Sequence, residues 1–228
     1  MPGKWYPDDT RRRYPCRRDV WRRKVAKGDV IIVRYADDLV LGFQLKADAR
    51  RFLAEFKERL SKSGLELHLD KTRLIEFGRY AASDRKLRGL RKPETFNFLG
   101  FTHYCGQRHK TGTFTLWRIT AKTRTAAKLK AIKVELRRRM HDRPAQTGAW
   151  LRKLVVGHYQ YHAMPGNIDR LSTFRQRVNR LWYQSLAQRS QRVRRRWEAL
   201  IPLFERWIPR PKVLHPYPDA RFYATHPS

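Results

Sequence analysis

The sequence predicts an α+β chain in which antiparallel hairpins with one packed helix precede an α-helical bundle and a tail. Three observations carry this. Apolar runs of strand length, β-branched or alternating, recur to about residue 118; after Thr120 the apolar spacing changes to 3.6; and the positive charge concentrates beyond the same point. Of a formal net charge of +32, residues 1–28 and 29–118 each carry +7, whereas residues 119–228, with 24 basic and 6 acidic side chains, carry +18.

Taken in order, residues 1–27 hold three prolines, a triple arginine and no sustained periodicity, which predicts an irregular segment. Val30 to Tyr35 and Leu39 to Phe43 are too short for helices, and Ala36, Asp37 and Asp38 remain for a tight connection, which makes a hairpin. Ala49, Phe52, Leu53, Phe56 and Leu60 recur at helical spacing, with Gly64 as the stop. Leu65, Leu67 and Leu69 alternate with Glu66, His68 and Asp70, predicting a strand that runs on through Lys71 and Thr72 to Phe77. Residues 78–94 read as a polar, basic loop, and residues 95–105 and 112–119 as a second hairpin. Together these form a predicted domain over 28–118.

Beyond Thr120 three stripes follow: Leu129, Ile132, Leu136 and Met140; then Trp150, Leu151, Leu154, Val155, His158 and Tyr159; then Leu171, Phe174, Val178, Leu181, Trp182 and Leu186. Pro144 to Gly148 and Met164 to Asn167 separate them. A three-helix bundle with basic outer faces over 119–200, and a Pro- and aromatic-rich tail over 201–228, complete the expected organisation.

A pI near 11.2 makes a polyanion the expected partner, nucleic acid first. No run approaches the length of a spanning helix, and no apolar signal core follows the charged start, so the expected setting is cytosolic and away from membranes. Cys16 and Cys105 are too few for a disulfide framework and lack metal-ligand spacing.

Adjacent carboxylates at a turn are commonplace, since Asp bonds its own backbone there. Between two apolar strands, however, Asp37 and Asp38 repel one another unless a divalent cation neutralises them. Oxygen ligands on a rigid turn suit Mg²⁺ and metal-assisted phosphoryl transfer. In so basic a chain the substrate would be a nucleotide added to a nucleic-acid primer.

These residues carry a resemblance. The segment "RYADDLVLGF" resembles the Tyr-x-Asp-Asp motif of reverse transcriptases, "GLELHLDKTRLIEFG" the next palm motif, and "FNFLGF" the strand that grips the primer. With "GHYQYHAMPGN" and "HPYPDARF" beyond them, the set resembles the C-terminal half of bacterial group II intron reverse transcriptase/maturases, from about Trp21 onward. The resemblance implies a partial reverse-transcriptase palm followed by a helical thumb, or domain X. It implies Mg²⁺ on Asp37 and Asp38, and Lys71 as the palm lysine beside the leaving pyrophosphate. Tyr35 and Ala36 would lie beside the primer end, and Phe98, Leu99, Gly100 and Phe101 would form the primer grip. The implied partners are intron RNA, an RNA template with a DNA primer, and deoxynucleoside triphosphates. His68 stands where relatives often carry Asn.

The family's third catalytic Asp, on an earlier palm strand, has no counterpart. Asp29 is eight residues upstream of Asp37 on one strand, roughly 26 Å away, and Asp8 and Asp9 sit among prolines. The chain is therefore expected to be a partial enzyme, inactive unless a separate chain supplies fingers and upstream palm. The alternative is a non-catalytic RNA-binding maturase fragment. Lys122, Arg124, Lys128, Arg137, Arg138, Tyr161, Arg194, Arg195 and Arg196 are the candidate RNA contacts. His158 and His162 have zinc-like spacing but no intervening Glu, and read as core or RNA-stacking residues.

Overall fold

The computed structural model describes residues 25–36, 38–68, 70–108, 111–189 and 196–217. It is α+β, and it divides into two compact units between Ile75 and Glu76.

The first unit contains β1 (Val30–Tyr35), β2 (Asp38–Phe43) and α1 (Lys46–Lys62). The strands pair antiparallel from Val30 opposite Phe43 to Tyr35 opposite Asp38. Because side chains alternate, Val30, Ile32, Leu41 and Phe43 share one face and Ile31, Val33, Tyr35 and Asp38 the other. Helix α1 covers the first face, where Phe43 meets Phe52 at 5.4 Å between ring centroids. The second is uncovered: Ile31 is 66% and Tyr35 57% exposed. Asp48, buried in the first turn of α1, fastens the entry to β1 by accepting hydrogen bonds from the backbone N–H groups of Lys27 (2.8 Å) and Gly28 (3.0 Å).

The strand expected over Leu65 to Phe77 is absent from the described residues. The N–H groups of Lys71 and Thr72 instead donate to the His68 carbonyl, making a turn. Alternating leucines signal a half-buried strand only if a neighbour completes the ladder; none among the described residues pairs here, and Leu65 and Leu74 stay exposed.

In the second unit, residues 78–94 are not all loop: Ala81–Leu87 is a helix, α2. Only Ala81 is buried in it, so it has no apolar stripe for periodicity to find, and Glu76, paired with Arg85 and Arg88, ties it down from outside. The predicted second hairpin is a three-stranded sheet of β3 (Phe96–Phe98), β4 (Phe101–Gln107) and β5 (Phe114–Thr120), in sequence order and antiparallel. The apolar run of residues 96–105 breaks at Leu99–Gly100, where both φ angles are positive (49° and 78°). That is the geometry of the tight hairpin turn whose twist matches its strands.

Helices α3 (Lys122–Arg138), α4 (Pro144–His162), α5 (Ile168–Gln188) and α6 (Trp197–Trp207) complete the unit. The three predicted stripes form its core: Ile132, Leu151, Val155, Leu171, Val178 and Trp182 are fully buried. Each side chain of this size contributes about 1.5–3 kcal/mol by leaving water. Two boundaries differ from expectation. Pro144 opens α4 rather than separating helices, because a first-turn proline lacks only an N–H that has no helical partner. A fourth helix crosses residue 200 despite Pro202, since Leu200 and Phe204 bury against the bundle and offset the lost hydrogen bond.

Residues 208–217 then lie extended on α4, with Tyr159 Oη donating to the Pro209 carbonyl and Leu214 N–H to the Ala163 carbonyl. The sheet groups with the helices rather than with the first hairpin because Asn167, wholly buried, links them. Its Oδ1 accepts from Thr120 N–H (2.9 Å), and its Nδ2 donates to Thr120 Oγ1 (2.7 Å) and to the His162 carbonyl (2.8 Å). Asn167 occupies the N-cap of α5 but makes no capping bond, its side chain being engaged here.

Candidate functional site

Asp38 is the first residue of β2, not a turn residue, and its pairing with Tyr35 leaves a two-residue connection. Ala36 takes a positive φ of 49°, which only glycine adopts without cost, and Arg34 Nε donates to its carbonyl at 3.0 Å. The hairpin therefore ends in a constrained tip with Asp38 exposed on the uncovered face beside Tyr35. Asp37 lies outside the described residues. Lys71 belongs to the same unit and is exposed in the His68–Thr72 turn.

Phe98, Leu99, Gly100 and Phe101 stand together in the second unit, where the β3–β4 turn is held from several directions. Tyr161 Oη donates to the Leu99 carbonyl (2.8 Å), Ala121 N–H to the Gly100 carbonyl (3.0 Å), and buried Phe101 stacks on Tyr161 (5.7 Å) and meets His162 edge-on (5.0 Å). A leucine at positive φ costs about 1–2 kcal/mol, which these contacts offset.

Of the candidate RNA contacts, Lys122, Arg124, Lys128, Arg137 and Arg138 are exposed on α3, and Arg196 is exposed at the start of α6. Arg194 and Arg195 lie outside the described residues. Tyr161 is 53% exposed, so it is a surface ring rather than a core one.

Between α3 and α4 the structure opens a cleft of about 580 Å³ that the sequence reading did not locate. Arg124, Lys128 and Lys153 supply its charge, and His158, Tyr161 and His162 its rings; no acidic side chain lines it. Burial depresses both histidines to about 4, His158 being further disfavoured as a cation by His162 and Lys128. At neutral pH the charge of the cleft therefore comes from the lysines and arginine. Lys153 was missed because a stripe identifies which helical face is apolar, not which two helices flank a gap.

Among the described residues, no group of three or more His, Cys, Asp or Glu side chains gathers in metal-ligating geometry. The pair at residues 37 and 38 is a hard-oxygen donor set, of the kind Mg²⁺ takes together with water and phosphate.

Comparison with known proteins gave one match to a family model, described as "Reverse transcriptase (RNA-dependent DNA polymerase)", over residues 14–103. Neither the curated proteins nor the solved structures gave a match. The matched stretch contains Tyr35, Asp38, Lys71 and the Phe98–Phe101 turn; it is similar to a reverse transcriptase domain.

Proposed function

We propose that this chain acts in RNA-directed DNA synthesis of the group II intron type, and that its basic helical region binds RNA in a maturase role. One observation carries the catalytic part: within the stretch that matches the reverse transcriptase model, Asp38 stands exposed at a constrained hairpin tip, next to Tyr35 and one residue from Asp37. The +18 charge of residues 119–228 supports the RNA part.

In this reading Asp37 and Asp38 hold Mg²⁺, which when bound neutralises charge on the reacting phosphates. Tyr35 orients the primer end against the tip, Lys71 donates a proton toward the leaving pyrophosphate, and the Leu99–Gly100 turn positions the primer strand. Lys122, Arg124, Lys128, Arg137 and Arg138, with Arg194, Arg195 and Arg196, neutralise the phosphates of intron RNA.

Extension of a labelled DNA primer on an RNA template, with Mg²⁺ and deoxynucleoside triphosphates, tests the catalytic part. It is assayed with the chain alone and with a polypeptide carrying fingers and upstream palm strands. Synthesis should vanish in the Asp37→Ala/Asp38→Ala double variant; synthesis that survives it removes the pair from the mechanism. A second reading, RNA binding without catalysis, is favoured by the +18 charge of residues 119–228, which lies outside the stretch that matches the reverse transcriptase model. It predicts RNA binding with no synthesis under any of these conditions.

A further inference from the structure

Helix α4 contains two interior glycines, and only one has a packing reason. A Cβ on Gly148 would lie 2.6 Å from the Trp207 ring, so close packing requires glycine there. A Cβ on Gly157 would meet nothing within 4 Å. An interior glycine weakens a helix through the backbone freedom it surrenders, and at Gly157 no neighbour in the fold compensates. Gly157 lies on the wall of the α3–α4 cleft, where it leaves a bare stretch of backbone between the cations Lys128 and Lys153 and the rings of His158 and Tyr161.

We infer that this cleft is a binding site for an unpaired nucleotide of single-stranded RNA, its base lying over the bare backbone at Gly157 against Tyr161, and its phosphates on Arg124, Lys128 and Lys153. The inference rests on the reading that the helical region binds RNA, and specifies the strand state it takes. The volume suits one small-molecule-sized group and is too small to enclose a double helix. A paired base hides its faces in the stack, and duplex RNA is gripped through backbone and shallow groove, whereas aromatic surfaces among cations are how proteins take unpaired bases. Tyr161 is suited to this: one side of its ring is engaged by Phe101, its hydroxyl is fixed on the Leu99 carbonyl, and half its surface remains open. It offers a stacking surface already ordered before any base arrives.

The test uses the full chain, a fluorescently labelled oligouridylate and a blunt RNA duplex of equal length. Gly157→Leu fills the bare stretch, and its Cβ meets nothing within 4 Å inside the protein. It should weaken oligouridylate binding about tenfold, the scale of one lost base–aromatic stack, while duplex binding changes by less than about twofold and the melting temperature holds or rises. Lys128→Gln with Lys153→Gln, both exposed positions, provides an independent variant and should lower single-strand affinity and flatten its salt dependence. Undiminished oligouridylate binding in both variants overturns the cleft assignment while leaving RNA binding intact. An equal loss on duplex overturns the strand assignment. Failure of the unaltered chain to bind either RNA overturns the underlying reading as well.

Discussion

Acid should destabilise the helical unit as pH falls below about 6.5. His158 and His162 are held near pKa 4 by burial, against about 6.5 in an unfolded chain. As pH falls below about 6.5, the unfolded state takes up two protons that the folded state refuses, so stability is full at neutral pH and is lost progressively toward pH 4. A displacement of this size amounts to about 2 kcal/mol per histidine at about pH 5. Water reaches the cleft beside both rings, which halves this to about 1 kcal/mol each, or about 2 kcal/mol for the pair.

Glu205 does not confuse the measurement. Arg210 and Arg175 hold its carboxyl below the ordinary range, so its contribution is lost only at still lower pH. His103, depressed by burial and by Arg118, adds in the same direction. Urea denaturation followed by far-UV circular dichroism at neutral pH and at about pH 5 should show the midpoint falling by about 1 M. The His158→Gln/His162→Gln double variant should retain only the smaller His103 part of that fall. An unchanged midpoint in the parent chain, or an equal fall in the double variant, refutes the reasoning.

Two further expectations concern what holds this unit together. Asn167→Ala leaves the Thr120 N–H buried without a partner, while the His162 carbonyl keeps the Met164 N–H, and should cost about 2 kcal/mol in the same denaturation experiment; a loss below about 1 kcal/mol would mean water replaces the amide. Gly148→Ala should destabilise by about 1–3 kcal/mol through the Trp207 ring although alanine is the better helix former, with a shift in tryptophan emission as the accompanying sign.

The bundle was legible because its information is periodic. Ile132, Leu136, Leu151, Val155, Leu171, Phe174, Val178 and Trp182 were all expected on core stripes, and all are buried. The first hairpin was legible for a similar reason, since two short apolar runs flank polar residues, and its tip places Tyr35 and Asp38 side by side. Misreadings arose where local pattern and tertiary partner part company. The leucines around His68 alternate but, among the described residues, pair with no strand, and the segment at Ala81 helixes without an apolar face, held instead by ion pairs to Glu76. Lys153 and Gly157 were invisible for a third reason. A cleft belongs to the spacing between helices, and no single helix encodes that spacing in its own residues.

Tyr161 carries two attachments that chemistry can separate although they belong to one residue. The hydroxyl reaches across 62 positions of sequence to the backbone of the Leu99–Gly100 turn, while the ring forms part of the cleft wall and leans on Phe101. Phenylalanine at this position would keep the ring and remove one of the holds on the turn; alanine would surrender both attachments at once. The turn and the cleft are therefore genetically entangled: a lineage that altered the tyrosine to retune one would disturb the other, unless it moved by way of the single atom that distinguishes tyrosine from phenylalanine.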